Sequence, residues 1–217
     1  EKDMKDETKT KKELINELAD LRQRLSQSEK AEDRCRQAEE NLQLNYEKLQ
    51  RLIDGVINTL VKLSEAKDPS TTGHENRVAK LATAIAREMN LPEQQVSGIF
   101  VAGLLHDIGK MRVPTEILTK PGKLSEIEFD VVKLHPKASY EILSGIEFPW
   151  PVATAALQHH ERINGSGYPF GLSGDQIILE ARVLAVADVV EAMVSHRVYR
   201  PDLTVDNALE EISKNKG

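Results

Sequence analysis

Cysteine is nearly missing from this chain: Cys35 is the single one among 217 residues. That excludes an internal disulfide framework and fits a reducing compartment, with the cytoplasm as the expected setting. No apolar run approaches the roughly 20 residues of a membrane-spanning helix, and no signal peptide is visible. Basic clusters are lacking as well. With a net charge of -6 and no lysine- or arginine-rich stripe, DNA and RNA are not expected as bulk partners. Aromatic residues amount to 4%, against 29% charged and 40% hydrophobic. Those proportions fit a soluble, mostly helical protein with one globular domain and a charged helical extension.

Between Glu1 and Asp54 both glycine and proline are absent, so nothing in that stretch interrupts a helix. Apolar residues recur there at alternating spacings of four and three: Leu14, Leu18, Leu21 and Leu25, then Cys35, Leu42, Tyr46, Leu49, Ile53, Val56, Leu60 and Leu63. Ser28, Glu32 and Glu39 occupy seam positions in the middle. The heptad pattern predicts a long helix that pairs as a parallel coiled coil, giving a homodimer, and enters the following domain without a break. A solitary helix this polar lacks the buried face that would stabilise it. The expected division is residues 1–62 for the dimerisation helix and 63–217 for the globular domain. Helices of this kind connect a sensor to an output domain, and the chain opens on Glu1 rather than methionine. An upstream sensor module is therefore expected.

What the chain does have is a concentrated placement of histidine. Five of its six histidines, His74, His106, His135, His159 and His160, fall on mid-chain helices, with His196 apart. A lone helical histidine is ordinarily a satisfied structural residue, whereas several together suit a metal site. His159 and His160 are adjacent and lead into Glu161, Arg162 and the turn Gly165-Ser166-Gly167. In FVAGLLHDIGK the apolar run from Ile99 to Leu105 buries a helix that ends in His106-Asp107. Adjacent helical residues point about 100° apart, so His106 can hold one ion while Asp107 bridges to a second. The same residues also suit a plain helix end, with Gly109 left-handed and Lys110 against the dipole. His74 follows DPSTTG, where Thr71 or Thr72 is expected to cap the next helix, and His135 precedes Pro136 at a helix boundary. Asp188 lies in ARVLAVADVVEAM, a helix apolar almost all round. A carboxylate there needs a partner, either a metal cation or an ion pair with Arg182 or Arg197.

His106-Asp107 with Gly109-Lys110, then His159-His160-Glu161-Arg162, then Gly167-Tyr168-Pro169, in that order, resemble the HD-GYP family of cyclic di-GMP phosphodiesterases. The likeness spans residues 63–212 and includes VPTEILTKPGKL and VADVVEAMVSHRVYR. It implies an all-α fold: an HD-type helical bundle behind the long N-terminal helix, cut short at the present C-terminus. As metal ligands it implies His74, His106, Asp107, His135, His159, His160 and Asp188. Ser70 stands four residues before His74, where relatives with a third metal carry glutamate, so two divalent ions are expected rather than three. Lys110 matches the family lysine, and Arg197 and Arg200 match its phosphate contacts. Arg162, Gly167, Tyr168 and Pro169 complete the expected substrate surface, although Tyr168 is equally at home in a purely structural turn. Asn164-Gly165 replaces the common Asp-Gly with no change in turn preference.

The implied activity is hydrolysis of cyclic di-GMP to pGpG, with onward hydrolysis to GMP left open. Imidazole and carboxylate ligands without thiolate suit Fe, Mn, Ni or Zn without choosing among them; two ions of Fe or Mn are the first expectation, with Ni or Zn as alternatives. Two ions about 3.5–4 Å apart, bridged by Asp107 and a nucleophilic hydroxide, would form the clamp of two-metal phosphodiesterases. Lys110 and the arginines would offset charge on the phosphoryl oxygens, making Asp107 and Lys110 the expected catalytic pair. Two other readings stay open: a non-catalytic cyclic di-GMP receptor, and an HD phosphohydrolase for another nucleotide. β structure is expected to be negligible, apart from a short hairpin between residues 165 and 178.

Overall fold

The computed structural model describes residues 9–195 and 204–214. Among them all named elements are helices, and one isolated antiparallel bridge joins Asn164 to Ser173. The hairpin expected around residues 165–178 is thus reduced to that bridge. Its amides go elsewhere: the N–H groups of Phe170 and Leu172 donate to the Glu161 carboxylate rather than to a facing strand. Gly165 and Gly171, at φ 79° and 66°, turn the chain in the left-handed region between them.

The chain divides into two compact units, residues 1–54 and 55–217. Helix α1 runs Lys11–Lys67. It opens on a reciprocal cap in which the Thr10 N–H donates to Glu13 Oε2 at 2.7 Å and the Glu13 N–H donates to Thr10 Oγ1 at 3.4 Å. In the first unit the heptad residues from Leu14 to Ile53 are exposed, Leu42 by as much as 71%. No described helix is long and apolar enough to cross a membrane.

The second unit is built around α2 (His74–Glu88), α3 (Glu93–Leu105), α7 (Val152–Gln158) and α8 (Leu179–Val194). Their buried faces follow helical spacing: Val78, Ala79, Ala82 and Ala86 on α2, Ile99, Ala102 and Leu105 on α3, Leu184 and Ala187 on α8. Each large side chain among them contributes ~1.5–3 kcal/mol through burial. Small residues bring the axes close together. A Cβ at Gly103 would lie 2.6 Å from Ala79 Cα, so α3 crosses α2 at a distance only glycine permits. Shorter helices follow on one side: α4 (Thr115–Leu118), α5 (Glu126–Val132), opened by a Ser125/Glu128 capping box, and α6 (His135–Leu143), with Pro136 in its first turn. Helix α9 (Val205–Lys214) packs on α8.

Helix α2 does not begin on a threonine cap. The Thr71 and Thr72 hydroxyls donate back to the carbonyls of Asp68 and Pro69, closing the preceding 3-10 turn. Gly73 takes the cap position instead at φ 74°, its N–H donating to Glu65 Oε1 at 2.7 Å.

Candidate metal centre

Helix ends supply the polar centre of the second unit. His74 opens α2, His106 and Asp107 close α3, His135 opens α6, His159 and His160 follow α7, and Asp188 sits within α8. His74, His106, Asp107, His135 and His159 are all at most 3% exposed. Their ligand atoms form three groups, each within 4.8 Å: His74, His106 and Asp188; His106, Asp107 and His159; His135, His159 and His160. The middle group shares His106 with the first and His159 with the last. All seven expected ligands are thereby brought together.

The hydrogen bonds decide which ring nitrogens face the centre. His106 Nδ1 lies 2.8 Å from the Gly103 carbonyl, His135 Nδ1 2.7 Å from that of Val132, and His159 Nδ1 2.7 Å from that of Ala156. A carbonyl only accepts, so each Nδ1 carries a proton, and in the neutral ring each Nε2 is then the lone-pair nitrogen. Those lone pairs converge: His135 Nε2 is 3.4 Å from His159 Nε2, and 3.2 Å from Asp107 Oδ1. His106 Nε2 is 3.5 Å from Asp107 Oδ2. Neither His106 Nε2 nor Asp107 Oδ1 has a hydrogen-bond partner, and both are buried. Acceptors facing acceptors in the dry interior are unfavourable unless a cation lies among them. The donor set therefore fits divalent metal ions, with imidazole and carboxylate and no thiolate.

Charge is distributed accordingly. Burial pushes the His106 and His159 imidazoles down, and His160 down to about 3, keeping them neutral. Burial alone would raise Asp107, but Lys110, 2.6 Å from its Oδ2, and the surrounding imidazoles hold it well below the usual carboxylate range. Asp188 is held low despite burial by His74, whose Nε2 is 3.1 Å away. Arg182 lies 3.8 Å from Asp175 instead. Lys110 Nζ is also 4.0 Å from Asp68, so the lysine stays charged where it sits beside the cluster.

The alternative of a plain helix end with a left-handed Gly109 does not hold, since Gly109 is absent from the positive-φ glycines. Its role is close approach. A Cβ there would lie 2.0 Å from the His135 carbonyl oxygen and 2.4 Å from Ser139 N. The 3-10 segment Ile108–Arg112 thus lies directly on the start of α6, tied by Gly109 N–H to Ser139 Oγ (2.9 Å) and by the Ser139 hydroxyl to the His106 carbonyl (2.6 Å).

Several residues that complete the site were not anticipated. Glu191, one turn beyond Asp188 and on the same side of α8, accepts from His74 Nδ1 and from Arg77 Nε, which aims His74 Nε2 at Asp188. Glu75 is 1% exposed with neither oxygen hydrogen-bonded, and burial pushes it up to about 7. Glu161, 2% exposed, holds the glycine-rich loop through the N–H groups of Phe170 and Leu172, at 2.8 and 2.9 Å. Glu161→Ala is expected to lower the stability of the full chain by about 3 kcal/mol, read from the denaturant midpoint, because two charge-assisted bonds are lost in a buried place.

That loop places Tyr168 over the cluster, its ring 4.7 Å from that of His160 at 31°, and its hydroxyl is pushed up by burial. Gly167 packs on the backbone of Glu161, where a Cβ would lie 2.4 Å away, and Pro169 follows Tyr168 half-buried. Arg162 lies with Ile163, Asn164, Arg182 and Val189 on a cavity of about 340 Å³ between the loop, α8 and α9. Arg197 and Arg200 fall outside the described residues.

An all-α unit with a histidine and aspartate cluster at its helix ends is the class defined so far. The HD domain family model matches residues 58–217. The cyclic di-GMP phosphodiesterase response regulator RpfG of Xanthomonas campestris is 38% identical over 208 residues, 95% of this chain and 55% of that protein. The 3'3'-cGAMP-specific phosphodiesterase 3 of Vibrio cholerae is 37% identical over 163 residues, 75% of this chain and 35% of that protein. The chain thus spans about half or less of the length of these relatives. Among solved structures, the HD domain of the Listeria monocytogenes phosphodiesterase PgpH aligns with a TM-score of 0.55 and 24% identity, covering 72% of this chain and 83% of that one. The chain belongs to the HD domain family and, within it, is an HD-GYP member.

Proposed function

We propose that the chain is a metal-dependent phosphodiesterase that hydrolyses cyclic di-GMP to linear pGpG, acting in the cytoplasm as the output domain of a signalling protein. The observation that carries this reading is the convergence of unprotonated imidazole nitrogens on Asp107, with the Lys110 ammonium 2.6 Å from the same carboxylate. His74, His106 and Asp188 would hold one divalent ion, and His135, His159 and His160 a second, with Asp107 between them. Bound there, the ions supply Lewis acidity toward the phosphoryl group and lower the pKa of a coordinated water.

The residues of the chain do the rest. Lys110 keeps its charge beside Asp107 and is positioned to offset charge on the phosphoryl oxygens. Glu191 orients His74, and backbone carbonyls orient three further imidazoles, so the ligands need little rearrangement to bind. Tyr168 closes one side of the cluster against water. Names of relatives support a cyclic dinucleotide as substrate class, and both cyclic di-GMP and 3'3'-cGAMP occur among them.

The heptad seam supports a parallel homodimer through residues 1–62, with 63–217 as the catalytic domain. Sedimentation of the full chain at monomer mass across micromolar concentrations would remove that part of the proposal. For the activity, the full chain loaded anaerobically with Mn or Fe(II) is incubated with cyclic di-GMP and the products are separated by chromatography. Linear pGpG is expected. Metal-loaded protein that binds the dinucleotide without forming product would instead make it a receptor, and turnover confined to 3'3'-cGAMP would reassign the substrate.

A further inference from the structure

Outward from the metal cluster, aromatic rings and lysines alternate along one surface. Tyr168 lies against His160, and Phe129 of α5 meets Tyr168 edge-on, with centroids 6.4 Å apart at 78°. Two residues beyond Tyr168, Phe170 is 57% exposed, and Phe129 is 44% exposed. Each of these phenylalanines carries an ammonium group over its ring: Lys133 Nζ lies 4.8 Å from the Phe129 centroid, and Lys137 Nζ 5.0 Å from that of Phe170. Lys133 and Lys137 flank His135, so both cations are anchored by the segment that delivers a metal-ligand candidate.

Phe129 and Phe170 leave 44% and 57% of their surface exposed beside the cluster. What they offer is a flat apolar face with a cation beside it. That combination suits a nucleotide, whose base stacks on an aromatic ring while its phosphate pairs with a nearby ammonium. A cyclic dinucleotide has two bases and two phosphates. With the scissile phosphate at the metal cluster, the other parts must lie against a neighbouring surface, and this one is contiguous through Tyr168.

We propose that Phe129 and Phe170, with Lys133 and Lys137, form the platform that binds the purine bases and the non-scissile phosphate of the substrate. The inference rests on the cyclic dinucleotide reading above and names the residues that would give it specificity. Lys137 is exposed and needs only to rotate from over Phe170 to reach a phosphate. Lys133 is held near the α5 end by Asp130 at 2.9 Å, which keeps its charge close to Phe129.

The test uses the full, metal-loaded chain and two readouts. The first is the Kd of a non-hydrolysable phosphorothioate analogue of cyclic di-GMP, measured by calorimetry. The second is kcat/KM for cyclic di-GMP against that for methyl 4-nitrophenyl phosphate, a diester without a purine. Phe170→Ala and Phe129→Ala are each expected to raise Kd about tenfold, the effect of losing one base–aromatic stack. Both are also expected to lower kcat/KM for the dinucleotide at least about fivefold more than for the small diester. Lys137→Met should weaken analogue binding and flatten its salt dependence. Ile127→Ala, 80% exposed on the same helix as Phe129, serves as the control and should leave Kd unchanged. Unchanged Kd in both phenylalanine variants, or equal losses on both substrates, would overturn the platform. Absence of hydrolysis of either substrate by the wild-type chain would instead count against the phosphodiesterase reading, while the Kd series still decides the platform.

Discussion

Asp107→Asn is expected to abolish turnover, lowering kcat for cyclic di-GMP by about ten-thousand-fold or more, with metal content falling in the same preparation. The carboxylate is surrounded by His106, His135, His159 and Lys110, at 3.5, 3.2, 3.9 and 2.6 Å. Asparagine keeps the shape but removes the charge. A neutral amide would no longer draw divalent ions between two groups of imidazoles, and the metal-assisted activation of water would go with them. Lys110 loses its nearest carboxylate in a buried place and keeps only the more distant Asp68, at 4.0 Å, which adds a stability cost of several kcal/mol at most. Initial rates of pGpG formation and elemental analysis on one sample check the prediction. A variant within about tenfold of wild type would show that Asp107 is not central to the chemistry.

Gly109→Ala acts without touching a ligand. The added methyl group would have to occupy space 2.0 Å from the His135 carbonyl oxygen and 2.4 Å from Ser139 N, both backbone atoms that rotamer changes do not move. The 3-10 segment must therefore separate from α6, breaking the bonds of Ser139 Oγ to Gly109 N and His106 O. Overpacking of this kind costs about 3 kcal/mol or more when backbone has to shift. For a chain of this size the melting temperature should fall by at least about 6 °C. Activity should fall further than stability does, because separation also moves Asp107 away from His135, now 3.2 Å apart. Thermal melts and rates at 20 °C, well below the transition, separate the two effects. A normal melting temperature with normal activity would mean that the contact relaxes locally.

The residues that cluster were legible because their types are scarce and ordinarily excluded from apolar helices. Histidines at the ends of buried helices, and Asp188 within one, stand out against alanine and valine. Glu191 and Glu161 did not stand out, since glutamate is common on helices and loops. Only its side of α8, shared with Asp188, hinted that Glu191 turns inward. The helix ends were less legible than the helices. Thr71 and Thr72 have the chemistry of caps, yet both hydroxyls are consumed by the turn before α2, leaving Gly73 to open it. For Gly109 the sequence suggested a conformational role only as the alternative to a metal site, and its role is packing. That distinction depends on α6, which arrives from 30 residues downstream at Ser139. Arg162 was expected on the substrate surface from the motif it belongs to, and the cavity it lines beside α8 depends on the packing of the loop against that helix, which the sequence does not display. The heptad spacing of residues 14–63 was plain in sequence, whereas the parallel homodimer proposed from it involves a second chain.

Elemental analysis of anaerobically purified chain, wild type beside His160→Ala, tests the central claim most directly. The account predicts two divalent ions per wild-type chain together with cyclic di-GMP hydrolysis, and at most one ion with no hydrolysis in the variant. Two ions retained by an inactive His160→Ala variant, or full activity from a chain that holds none, would contradict it.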